Sequence, residues 1–135
     1  MNEKKPYLID FDKIGDPSLG YISIVENNDQ IPFEVQRVYW TYFTPNHVER
    51  GNHAHKELQQ LIVAVSGVIE FTLISKQNER DLFILDNPDK GLYIPPGYWR
   101  EMKFSHNAVL MCLASEIFNE NDYIRNFKEF TTTKI

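Results

Sequence analysis

The chain has 135 residues, 42% of them hydrophobic and 13% aromatic, enough for one packed domain over 1–135 and too few for two. A formal net charge of −5 argues against a general nucleic-acid binder, whose affinity comes mainly from neutralising phosphates, so a phosphate-bearing ligand must meet a local basic cluster. Cys112 is the only cysteine, no N-terminal segment reads as a signal peptide and no apolar run is long enough to span a membrane; a cytoplasmic protein without membrane contact is expected.

In chain order the apolar residues alternate through YLIDFDKI, GYISIVEN, FEVQRVYWTYF, LQQLIVAVSG, VIEFTLIS, DLFIL, GLYIPP, WREMKF and AVLMCLAS. Period two and a high content of Val, Ile, Tyr, Phe and Trp predict strands. The clusters IGDPSLG, ENNDQIP, TPNHVERGN, SKQNER, DNPDKG and PPGY predict the turns between them. Many short strands with regular turn signals give an all-β fold, read here as an antiparallel jelly roll. The tail NENDYIRNFKEFTTTKI predicts a short helix, capped by Asn or Asp before Tyr123, that closes one side of the barrel.

One further stretch, RGNHAHKELQQLIVAVSG from Arg50 to Gly67, carries chemistry. On a strand His53, His55 and Glu57 share one face, while Ala54 and Lys56 share the other. Two imidazoles on one face can meet one ligand, whereas a lone strand histidine is more often simply packed. Arg50-Gly51, the histidine pair, Gln60 and Gly67, followed by Pro95-Pro96-Gly97-Tyr98-Trp99-Arg100, resemble the two motifs of the cupin superfamily. Metal-binding cupins use two histidines, a glutamate and a further histidine; here Gln60 and Arg100 stand in the third and fourth places. A neutral amide is a poor transition-metal ligand and a guanidinium has no lone pair to offer, so neither a metal nor another cofactor is expected. The imidazoles, titrating near pH ~6.5 when unperturbed, are then free to move protons.

RVYW (37–40), RGNHAHK (50–56), the Gln-x6-Gly spacing, GLYIPP with Trp99, LASE (113–116) and NDYIR (121–125) narrow the resemblance to the sugar-nucleotide 3,4-ketoisomerases, over about residues 20–130. The resemblance implies isomerisation of a dTDP-4-keto-6-deoxyhexose to the 3-keto sugar, in deoxyamino-sugar biosynthesis. It also implies a metal-free site inside a jelly roll and a homodimer, with exchange of N-terminal strands left open. By the same resemblance His53 and His55 are catalytic; His55 is favoured for the carbon-bound proton, though spacing alone does not choose.

Tyr39 alternates with Arg37 and Thr41 and is either a proton relay or a core aromatic. Arg37, Arg50, Lys56, Arg100 and Lys103 are candidates for a diphosphate, with guanidinium forks the better match, and Gln60 is a further substrate contact. Trp40, Tyr42, Tyr98 and Trp99 offer rings to a thymine. Two positions depart from the family pattern: Leu19 precedes Gly20 where an arginine is usual, and Arg100 replaces a histidine. Arg100 cannot hand over protons but can stabilise an enediolate. Three alternatives remain at this stage: a metal-dependent dioxygenase, a 3,5-epimerase-like enzyme and a non-catalytic sugar-nucleotide-binding cupin.

Overall fold

Alternation along the sequence becomes alternation in burial: on the strand Val109–Ala114, Leu110, Cys112 and Ala114 are buried while the residues between them are only partly covered. The structure, a computed structural model, describes residues 4–27 and 30–135, so Asn28 and Asp29 of the ENNDQIP turn lie outside the described residues. Within these, the strands are β1 (Tyr7–Asp10), β2 (Lys13–Asp16), β3 (Gly20–Ser23), β4 (Arg37–Thr41), β5 (Glu49–His55) and β6 (Gln60–Ser66). They continue with β7 (Ile69–Ile74), β8 (Arg80–Leu85), β9 (Lys90–Ile94), β10 (Trp99–Phe104), β11 (Val109–Ala114) and β12 (Tyr123–Ile124), before helix α1 (Phe127–Thr132).

Two five-stranded antiparallel sheets, ordered β1-β9-β6-β11-β4 and β12-β5-β10-β7-β8, face each other as a jelly roll. Ile62, Phe71, Leu73, Leu92, Phe104 and Leu110 fill the space between them. The outer face of the first sheet has its own cover, because Leu61, Val63 and Tyr93 pack against Ile9, Phe11 and Ile31. Gln60–Ala64 of β6 is therefore buried on both faces, which is why QLIVA reads as a continuous apolar run. A third cluster, Ala54, Ile74, Trp99, Ile124 and Phe130, seals the second sheet where α1 docks. No helix among the described residues is long and apolar enough to cross a membrane.

Three sequence expectations are corrected. YLIDFDKI is two strands: β1 pairs with β9 as far as Asp10, and β2 leaves to form an exposed hairpin with β3. Phe11 is buried and keeps the apolar period running across the break. Secondly, Glu49–Asn52 of the TPNHVERGN turn belong to β5. The register against β10 shifts between Arg100↔His53 and Glu101↔Gly51, with Gly51 at φ +95° and Asn52 at φ +57°. Turn-forming residues sit there because the strand bulges, which re-aims the residues that follow. Thirdly, the tail reaches its helix later than expected. Asn119 caps a single 3-10 turn over Glu120–Asp122, Tyr123 and Ile124 pair with His55 and Ala54, and α1 starts only after Asn126, whose side chain accepts from Glu129 N–H.

Candidate active site

The Asn52 bulge delivers His53 and His55 to one place from a strand held on both sides, by β10 at Arg100 and by β12 at Tyr123. The two imidazoles meet edge to face with ring centroids 4.9 Å apart, and the Tyr123 ring lies 5.1 Å from His53 and 4.4 Å from His55. The loop of the second motif is tied to the same strand, since Gly97 N–H donates to the His55 carbonyl.

Each imidazole has an acceptor at Nδ1. His53 Nδ1 donates to the Gly51 carbonyl at 3.1 Å, and His55 Nδ1 donates to Asp122 Oδ2 at 3.0 Å. An acceptor at Nδ1 places the hydrogen there and leaves Nε2 with its lone pair, the form a general base requires. Asp122 is itself fixed, accepting from Glu57 N–H at 2.8 Å and Leu58 N–H at 3.3 Å. Burial, and then the Arg100 guanidinium, lower the His53 pKa to about 4. The same two causes hold His55, only 1% exposed, well below the ordinary histidine value. Both rings are neutral bases near pH 7.

Beside them opens a cavity of about 260 Å³. Tyr39 and Thr41 line it from β4, Gln60 from β6 and Arg100 from β10, while Arg50 and Arg125 stand at its edge. Burial holds the Tyr39 phenol far above its usual range, so it stays protonated and can donate. Burial also raises the neighbouring Cys112 thiol to about 11. Arg100, 2% exposed, donates through Nη1 to Gln60 Oε1 and through Nη2 to the Tyr98 carbonyl. With Gln60 spent on a guanidinium and Arg100 itself cationic, the donor set does not fit a transition metal, and no step is assigned to one.

Of the candidates drawn from sequence, His53, Tyr39, Gln60, Arg50 and Arg100 border this cavity, and His55 lies directly against the His53 ring. Arg37 sits behind Tyr39, its guanidinium carbon 5.3 Å from that ring and 5.7 Å from the ring of Phe118. The remaining candidates lie elsewhere. Lys56 follows the end of β5 and faces a separate cleft with Lys4, Lys76 and Tyr98. Glu57, expected on the histidine face, is exposed and contributes only its backbone N–H. Lys103 lies on the outer face of its sheet near Glu49 and Glu70. Trp40 and Tyr42 are exposed, and Trp99 packs on Phe127 and Phe130. Sequence reasoning did not single out Asp122, Tyr123, Arg125 or Cys112 as site residues; the NDYIR motif was the available signal for the first three.

A neutral imidazole on the cavity wall with a second against it, a protonated phenol and a fixed cation, set between two facing antiparallel sheets, fit the class of cupin-fold enzymes that act on carbonyl compounds. A family model described as "FdtA: WxcM-like, C-terminal" matches residues 4–134. The TDP-4-oxo-6-deoxy-alpha-D-glucose-3,4-oxoisomerase of Aneurinibacillus thermoaerophilus is 40% identical over 124 residues, covering 91% of this chain and 88% of that one. Among solved structures, the TDP-quinovose 3,4-ketoisomerase WlaRB of Campylobacter jejuni superposes with a TM-score of 0.89 at 38% identity, covering 97% of this chain and 100% of that one. The sugar 3,4-ketoisomerase QdtA of Thermoanaerobacterium thermosaccharolyticum, solved in complex with TDP, gives 0.88 at 37% identity, covering 93% and 91%. The chain belongs to this FdtA-like family of cupin-fold sugar 3,4-ketoisomerases.

Proposed function

We propose that the chain converts a TDP-linked 4-keto-6-deoxyhexose into its 3-keto isomer, as a cytoplasmic single-domain enzyme working as a homodimer. The observation that carries the mechanism is the pair of imidazoles with hydrogen-bonded Nδ1 and bare Nε2, beside a phenol that remains protonated. An imidazole Nε2 removes the hydrogen on C3, which the C4 ketone acidifies. The electron pair forms a C3–C4 double bond, and O4 takes a proton to give the enediol. O3 then loses its proton as C3 becomes the ketone, and C4 receives a proton from the imidazolium. Tyr39 exchanges the oxygen-bound protons, donating to O4 and accepting from O3. Arg50 and Arg125, at the cavity edge, meet the diphosphate.

The homodimer reading draws on large apolar side chains that one copy leaves exposed: Ile14, Leu19, Tyr21 and Ile22 on the β2–β3 hairpin, and Trp40 and Phe43 on and after β4. The functional test is incubation with TDP-4-keto-6-deoxyglucose in heavy water, followed by NMR. The expected product has its ketone at C3 and deuterium at C4, in part where one shielded imidazole carries the proton across and in full where the base exchanges with solvent. Deuterium at C5 with the ketone still at C4 would instead show 3,5-epimerase chemistry. Substrate that binds and is returned unchanged would leave a sugar-nucleotide-binding module.

A further inference from the structure

The floor of the cavity carries a line of hydrogen bonds that the proton-transfer scheme does not use. Arg100 Nη1 donates to Gln60 Oε1; Gln60 Nε2 donates to the Tyr39 oxygen at 2.8 Å and to Cys112 Sγ at 3.3 Å. Both amide hydrogens and the carbonyl of Gln60 are therefore engaged, so this residue has no hydrogen bond left to donate to a sugar although it borders the cavity. The amide also fits only one way round. Reversed, its NH2 would face a guanidinium, donor against donor.

Two consequences meet at Tyr39. Its oxygen already accepts from Gln60, so its own hydrogen must point elsewhere. The neighbouring weak acceptor is Cys112 Sγ, 3.3 Å from the same Gln60 nitrogen. Sulfur is a weak acceptor, readily displaced by a ketone oxygen. At the other end of the line, Arg100 is enclosed, its Nε has no partner, and no salt bridge to it is found among the described residues. Its charge polarises the Gln60 amide, which strengthens the N–H donated to Tyr39 and makes the phenol a better proton donor.

We infer that Gln60 is a positioning residue that couples the Arg100 guanidinium to the Tyr39 phenol and leaves the phenol O–H as the proton donor to the C4 oxygen of the sugar. The inference rests on the proton-transfer reading above and moves Gln60 from contacting substrate to acting through Tyr39. In the step it supports, the Tyr39 O–H bond breaks as O4–H forms. The phenolate, stabilised through Gln60 by Arg100, then takes the proton of O3–H as the C3 ketone forms, which restores the phenol.

Gln60→Glu tests this, because a carboxylate still accepts from Arg100 but cannot donate to Tyr39 and instead captures the phenol hydrogen. Gln60→Met, of similar shape and without polar hydrogens, is the second variant should the first not fold. With TDP-4-keto-6-deoxyglucose, either variant is expected to lose about 10- to 100-fold in kcat, up to the lower end of the range for loss of a positioned proton donor, since the phenol itself remains. KM, and the affinity for TDP measured by calorimetry, should stay within twofold of wild type. Tyr39→Phe should lose at least as much, and the double variant should be no slower than Tyr39→Phe alone, since Gln60 acts only through that donor. A Gln60 variant with wild-type kcat, or losses that multiply in the double variant, overturns the inference while leaving the isomerase reading intact. Absence of turnover by the wild type would overturn that reading instead. The coupling is then read directly by NMR of the Gln60 side-chain amide, expected to exchange slowly in the wild type and quickly in Tyr39→Phe; rapid exchange in the wild type overturns it.

Discussion

The hydrogen on His55 Nδ1 is held by a carboxylate 67 positions further along the chain, Asp122, and that single contact decides which nitrogen of the ring is basic. Asp122→Asn keeps the shape but can present an NH2 to Nδ1, which stabilises the wrong tautomer. With circular dichroism unchanged, kcat is expected to fall about 100-fold or more, within the range of a lost general base. Wild-type turnover by the variant would remove the dyad from the mechanism. The His-x-His pair was legible because period two alone puts both rings on one face. Asp122 was not, because no local pattern announces that Tyr123 and Ile124 pair with β5; the surrounding letters carry no alternation and read as the start of a helix. Lys56 was misplaced for the converse reason, since a basic residue beside two histidines in sequence lies past the end of the strand in space.

At the scale of the element, β5 depends on its bulge. A Cβ on Gly51 would lie 2.9 Å from the Arg100 carbonyl oxygen and 3.1 Å from Met102 Cε, at a φ of +95° that side chains rarely adopt. Gly51→Ala is expected to destabilise by about 1–3 kcal/mol, the usual size of such backbone strain, as read from urea unfolding midpoints. Unchanged stability would mean that the bulge relaxes freely and does not fix the histidines. Strands with one buried face and plain alternation, such as β7 and β11, were readable from sequence. The start of β5 reads as a turn in the sequence because Gly and Asn serve positive φ equally well in a turn and in a bulge.

Over the whole molecule, the two buried imidazoles make stability depend on pH. Their folded pKa values lie below ~6.5, the value expected of an unfolded chain, so between the two the unfolded state binds more protons and stability rises with pH. The stabilisation is complete above about pH 6.5, is lost for His53 as pH falls to about 4, and continues to be lost below that for His55. The urea midpoint should therefore drop from pH 7.5 to pH 4.5, and drop less in His53→Asn and His55→Asn. An equal drop in all three proteins would assign the effect to other groups. The layered architecture was legible from spacing, since runs of strand-like letters between turn clusters allow few other folds. Which sheet each strand joins was not, because antiparallel neighbours here are often distant in sequence, as β1 is from β9.

Arg100 stands where the cupin motif it resembles carries the fourth metal ligand, and its charge is part of the covalent chain. A guanidinium cannot be leached by a chelator, displaced by a competing ion or left unloaded when trace elements are scarce. The Arg100 cation takes its place in the cavity wall as soon as β10 is in the sheet. What is given up is adjustability: the strength of that cation cannot be retuned by swapping one ion for another, and only substitution in its hydrogen-bonded neighbours can alter it.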